Sequence, residues 1–190
     1  LLERLDYKVV AGSDNIEITE LVNDSRKVVP GSVFVCISGA VSDGHQYVKD
    51  VAEKGAAAVI VEKDVEVPEG LTVIKVEDTR YALALMSAAY FGYPAEKLKT
   101  IGITGTKGKT TTTYMVKAIL EEVGHKVGLI GTIEAIIGDK TIPSNNTTPE
   151  SYTIQKYFAQ MVEAGCDCVV MEVSSQGLML HRTQGFVFDF

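Results

Sequence analysis

Residues 102–111, Gly-Ile-Thr-Gly-Thr-Lys-Gly-Lys-Thr-Thr, constrain this chain more than any other segment. They overlap the end of an apolar run, 100–104, that reads as a strand. They open a stretch, 110–123, whose spacing reads as a helix closed by Gly124. Glycines at 102, 105 and 108 let the backbone curl so that several N–H groups point inward, and the helix N-terminus adds partial positive charge. Such a cradle suits phosphate. Lys109 would reach the terminal phosphates of a nucleotide, and the Thr110 hydroxyl would bind Mg2+. The common phosphate-loop pattern asks for glycine at position 103, which here is Ile103, so the register is G-x-x-G-x-x-G-K-T instead. The bland alternative is a glycine-rich turn with a surface lysine. The coincidence of strand, glycines, Gly-Lys-Thr and helix favours the phosphate reading.

The chain around this loop has room for one large domain or two small ones, with 190 residues, 46% of them hydrophobic and 23% charged. Its net charge of −7 is the wrong sign for a general nucleic-acid binder, so no nucleic-acid partner is expected. Cys36, Cys166 and Cys168 are odd in number and include a C-x-C spacing, which fits neither a disulfide framework nor paired zinc ligands. Buried free thiols in a reducing cytoplasm are the expectation. His45 and His125 are read as structural, without metal-ligand company. No apolar run approaches the roughly 20 residues of a membrane span, and no signal-peptide pattern is read. The chain starts at Leu1, and 185–190 alternate like a strand just beginning, so a truncated piece of a longer protein is expected.

Strand and helix patterns alternate throughout. Ahead of the loop, strands are expected at 32–38, 57–61 and 72–76, and helices at 46–54 and 80–91, the second capped by Asp78. Residues 94–98 form the expected boundary between domains 1–97 and 98–190. Behind the loop come a strand at 126–130, a hairpin of 133–137 with 140–142 around Gly138-Asp139, a helix opened by Thr147-Thr148-Pro149 and running to about Ala164, and a buried strand at 168–173. This order argues for an α/β fold with a mostly parallel sheet in each unit.

The loop Gly105-Thr106-Lys107-Gly108-Lys109-Thr110 resembles that of the Mur ligase superfamily, with Lys107 where Asn is usual. Three further segments resemble the MurE type, and in the family's order. They are Asn23-Asp24-Ser25-Arg26, Asn146-Thr147-Thr148-Pro149, and Glu172-Val173-Ser174-Ser175-Gln176-Gly177-Leu178 followed by His181-Arg182. Gln176 stands where His is common, and Leu180 where some members have Gln.

The resemblance implies an N-terminal UDP-muramoyl-binding α/β domain followed by a P-loop-type central domain, the latter incomplete. By position, Asn23, Ser25 and the loop Ala40, Val41 and Ser42 would hold the uridine nucleotide end. Residues Gly105 to Thr111 would hold ATP. Asn146, Thr147, Thr148, Ser174 and Arg182 would touch the muramoyl-peptide. Thr110 and Glu172 would hold Mg2+, with Lys109 and Glu172 serving catalysis. On bare residue chemistry, Glu172 is alternatively an exposed strand-end carboxylate, Arg182 a plain surface arginine, and Asp24 and Arg26 a local pair. The implied activity is ATP-dependent ligation of diaminopimelate or lysine to UDP-N-acetylmuramoyl-L-alanyl-D-glutamate through an acyl phosphate; separately from the resemblance, a monomer is expected. The family's carbamylated lysine and its amino-acid-binding domain would lie beyond Phe190, so the chain alone is not expected to be a competent ligase. The rivals are a folylpolyglutamate-synthetase-like ligase, an unrelated P-loop kinase or GTPase, and a non-catalytic UDP-sugar-binding protein.

Overall fold

The computed structural model describes residues 1–39 and 42–190; Ala40 and Val41 lie outside the described residues. The chain divides into two compact units, Leu1–Leu83 and Ala84–Phe190. Each has its own mixed sheet of five strands, mostly parallel where helices cross over.

In the first unit the strands are β1 (Lys8–Ala11), β2 (Leu21–Val22), β3 (Val33–Val35), β4 (Ala58–Val61) and β5 (Thr72–Lys75). They lie in the order β1-β5-β4-β3-β2, with β2 through β5 parallel and β1 antiparallel at the edge. Strands β3 and β4 are buried throughout, as expected of parallel strands covered on both faces. The helix expected at 46–54 is shorter: a 3-10 turn, Gly44–Tyr47, precedes α1 (Val48–Glu53). Val48 and Val51 of α1 pack with Phe34, Cys36, Val59 and Val73. Helix α2 (Thr79–Tyr90) begins in this unit and continues past Leu83 into the second; it starts where Asp78 accepts from the backbone N–H groups of Arg80 and Tyr81, both at 2.8 Å, as its capping role requires.

The second unit contains β6 (Lys99–Ile103), α3 (Lys109–Glu122), β7 (Val127–Ile130), the hairpin β8 (Glu134–Ile137) and β9 (Lys140–Pro143), α4 (Ser151–Glu163), β10 (Cys168–Glu172) and the short α5 (Ser175–Met179). The sheet order is β6-β10-β7-β8-β9. Strand β10 sits between its two parallel partners, and β8 and β9 add antiparallel. Residues 185–190 form no strand, although the Asp189 N–H donates to the Thr100 carbonyl and the Gly102 N–H to the Phe190 carbonyl, both at 2.9 Å, along β6.

The pleat of β10 decides where its side chains go. Cys168 and Val170 face α3 and pack near Val116 and Leu120, whereas Val169 and Met171 face Ile154, Phe158 and Met161 of α4. Glu172 shares the parity of Cys168 and Val170. It therefore emerges on the α3 side, at the carboxyl end of β10.

Helix α4 begins later than the Thr147-Thr148-Pro149 signal implies. Glu150 is its N-cap, still extended at φ −61° and ψ 150°, and no side chain caps it. The threonines are engaged elsewhere.

Candidate functional site

Residues 104–108 leave the carboxyl end of β6 as an exposed loop, within which Thr106 and Lys107 project to solvent. Gly108 adopts φ +80° at the N-cap of α3, a left-handed conformation that a side chain would strain. No side chain caps α3, so its first-turn amides keep their capacity to bind an anion. Lys109 folds back over the loop and donates from Nζ to the Gly105 carbonyl at 2.8 Å. Thr111 is exposed on the first turn.

Glu172 is 1% exposed, which corrects the alternative of an exposed strand-end carboxylate. Its burial is compensated by converging donors. Thr110 Oγ1 donates to Oε2 at 3.0 Å, Thr132 Oγ1 to the same oxygen at 3.1 Å, and the Thr132 backbone N–H to Oε1 at 2.8 Å. Gly131 makes room for this carboxylate: a Cβ there would lie 2.6 Å from Glu172 Oε1. Tyr114 donates to Glu134 at 2.7 Å. Its hydroxyl is pushed up to about 12 by burial, with Glu134 and Glu172 adding to the effect. Thr110 and Glu172 thus present a pair of hard oxygen donors, the type Mg2+ prefers.

A second set of residues runs away from Glu172 along the backbone. Thr147 Oγ1 lies 3.0 Å from Thr132 Oγ1. Thr148, 1% exposed, donates to the Glu172 carbonyl at 2.9 Å and accepts from the Ser174 N–H at 2.9 Å. Ser174 caps α5 by accepting from the Gly177 N–H at 3.0 Å. Arg182 is no plain surface arginine. Its side chain is 11% exposed and donates to the Thr148 carbonyl at 3.0 Å and to Glu150 at 2.5 Å, while Nε is buried without a hydrogen-bond partner. Asn146 is exposed on the preceding loop. The second unit therefore brings Thr110, Glu172, Thr147, Thr148, Ser174 and Arg182 into one connected network. Thr132, Gly131 and Glu150 belong to it too, and sequence reasoning missed them. The available signal was Gly131-Thr132 directly behind an apolar strand, at the edge where open parallel sheets place ligands.

In the first unit, Asn23 and Ser25 follow β2, while Ser42 lies in the loop after the neighbouring parallel β3. Both segments leave the carboxyl edge of the same sheet. Asn23 is exposed. The Ser25 carbonyl accepts from Lys54 at 2.7 Å, and the Ser42 hydroxyl is 3.0 Å from that of Tyr47. Asp24 and Arg26 do pair with each other, at 2.8 Å and 2.9 Å, and Arg26 holds the Asp24 carboxyl down at about 2. The expected roles of Ala40 and Val41 fall outside the described residues.

The reading of His125 as lacking ligand company needs correction, since donor atoms of His125, Asp167 and Cys168 lie within 4.8 Å of one another at the opposite end of β10. His125 Nδ1 is already bonded to Asp167 at 2.8 Å, however, and burial together with Asp167 pushes the Cys168 thiol up. A cavity of about 570 Å³ lined by Lys126, Asp139, Lys140, Gln160 and Glu163 also lies at that far end, and contains none of the network residues.

Residues 17–91 match the model of the Mur ligase family, catalytic domain, and residues 103–190 that of the Mur ligase middle domain. Among curated relatives, UDP-N-acetylmuramoyl-L-alanyl-D-glutamate--2,6-diaminopimelate ligase of Clostridium perfringens is 49% identical over 189 residues, covering 100% of this chain and 39% of its own length. The correspondingly named ligase 1 of Clostridium acetobutylicum is 51% identical over 183 residues, covering 96% of this chain and 38% of its own. The chain thus spans about two fifths of the length of these relatives. A solved structure with the same ligase name superposes with a TM-score of 0.78 over 94% of this chain and 36% of its own, at 23% identity, a likeness of fold. MurF from Acinetobacter baumannii superposes at 0.56, with 25% identity, over 85% of this chain and 31% of its own. With two adjoining Mur ligase domains, and relatives near half-identical along its whole length, the chain belongs to the Mur ligase family.

Proposed function

We propose that this chain forms the nucleotide-sugar-binding and phosphate-loop part of an ATP-dependent ligase that adds diaminopimelate to UDP-N-acetylmuramoyl-L-alanyl-D-glutamate in peptidoglycan precursor synthesis. The observation that carries the proposal is the pairing of Thr110 with the buried Glu172 at the mouth of the glycine loop. The names of the relatives favour diaminopimelate over lysine as the amino acid added.

The first domain, 1–97, would hold the uridine nucleotide through Asn23, Ser25 and the loop containing Ala40, Val41 and Ser42. The second, 98–190, would bind ATP along residues 105–111, with Asn146, Thr147, Thr148, Ser174 and Arg182 facing the muramoyl-peptide. In the implied chemistry a D-glutamate carboxylate oxygen bonds to the γ-phosphorus of ATP and ADP leaves. The amine nitrogen then attacks the acyl carbon, phosphate leaves, and the amine releases its proton. The residues of this chain supply position and charge. Lys109 exchanges the Gly105 carbonyl for phosphate oxygens, and the amides of α3 hold the same group. Thr110 and Glu172 would hold Mg2+, which when bound neutralises phosphate charge. Three free buried thiols fit a reducing cytoplasm, and no helix of the described residues is long and apolar enough to cross a membrane. A monomer is the expected state.

Calorimetric titration with Mg·ATP tests this directly. Lys109→Ala should weaken binding by at least about tenfold, the value of a charge-assisted contact to phosphate. Unchanged affinity in the variant would remove the loop from the account.

A further inference from the structure

Thr132 meets Glu172 twice, through its backbone N–H to Oε1 at 2.8 Å and its hydroxyl to Oε2 at 3.1 Å, and its hydroxyl also meets that of Thr147 at 3.0 Å. A carboxylate only accepts, so the hydroxyl protons of Thr110 and Thr132 are both directed at Glu172. Thr132 then has no second proton to give, and Thr147 must be the donor between the two threonines. The resulting order is Thr147 to Thr132 to Glu172, with Thr110 joining the same carboxylate from the phosphate loop.

We infer that Thr132 is a positioning residue that fixes the Glu172 carboxylate for a cation beside Thr110 and orients Thr147 towards the substrate. This rests on the functional reading above. With one oxygen held by the Thr132 amide and the other by its hydroxyl, the carboxylate plane cannot turn. These bonds leave lone pairs of Thr110 and Glu172 unused. Because the Thr147 proton is engaged internally, Thr147 offers outward lone pairs only. It is therefore matched to an N–H donor of a peptide-bearing substrate, not to a carboxylate. Gly131 completes the device, since any side chain there would strike Glu172.

The test measures ATP binding by calorimetry across a Mg2+ series, with thermal unfolding of each variant as a check on folding. Thr132→Val keeps the shape and the amide but removes the hydroxyl. It should raise the Mg2+ concentration needed for half-maximal enhancement of ATP binding by about tenfold. Thr132→Ser, which restores the hydroxyl, should return the profile to that of the unmodified protein, and remains informative if the valine variant does not fold. A Mg2+ profile for Thr132→Val equal to wild type, or one for Thr132→Ser shifted by tenfold, would overturn the inference alone. Absence of Mg2+-enhanced binding in the unmodified protein would overturn the functional reading and this inference with it.

Discussion

Glu172 concentrates the physical argument at the scale of single residues. A carboxylate at 1% exposure persists because two hydroxyls and an amide converge on it. Removing it by Glu172→Ala would leave the Thr110 and Thr132 donors without their acceptor, and should cost about 1–3 kcal/mol in urea unfolding. Gly131→Ala would test the same spot from the other side. Its Cβ, built at 2.6 Å from Oε1, has to displace the carboxylate, so a loss of about 1–3 kcal/mol is expected, with weakened Mg·ATP binding. Asp24 offers a pH test in the first unit. Arg26 lowers its pKa from 3.8 to about 2, so the pair contributes above the unfolded value and is lost as pH falls through about 2. A carboxyl-carbon NMR titration should find that low midpoint, and Arg26→Ala should raise it part of the way, because the backbone N–H of residue 26 still donates to Asp24 at 3.0 Å; a midpoint unmoved by the substitution would contradict the pairing.

At the scale of elements, β10 and the segment 144–150 connect sequence to site. Thr148 spends its hydroxyl tying the Glu172 carbonyl to the Ser174 amide instead of capping α4. Thr148→Val should therefore destabilise the unit by about 1–3 kcal/mol, with α4 itself unchanged in circular dichroism; a purely helix-capping role would instead reduce helicity. Apart from β1 and β2, the strands and the long helices were legible because period-2 and period-3.6 patterns, Asp78 and the terminal glycines all act locally. The start of α4 was misread because Thr-Thr-Pro is a valid local cap signal, and only the tertiary neighbour β10 supplies the competing partners. The two-residue β2 and the one-turn α5 carry too few positions for any period to appear. Thr132 was invisible for a related reason: its role depends on β10 lying between β6 and β7, a sheet order that no local pattern encodes. Arg182, by contrast, was singled out from the motif, while its partner Glu150 is defined only by the packing.

At the scale of the whole molecule, each unit has its own core, and the thiols report on both. Cys36 at 0%, Cys166 at 6% and Cys168 at 3% exposure should resist alkylation until the unit that holds them opens, and burial pushes Cys36 up to about 12. Mass spectrometry after a brief alkylation pulse should find all three unmodified in the native protein; rapid labelling of Cys36 would contradict the first core. In the proposed function, one unit would bind the uridine-nucleotide end of a muramoyl-dipeptide and the other ATP. The most direct measurement is calorimetric titration of the protein with UDP-N-acetylmuramoyl-L-alanyl-D-glutamate, in parallel with Mg·ATP, for the unmodified protein and for Ser25→Ala. The account predicts saturable binding of both ligands, with only the UDP-dipeptide weakened by Ser25→Ala. A folded protein that binds Mg·ATP but not the UDP-dipeptide would contradict it.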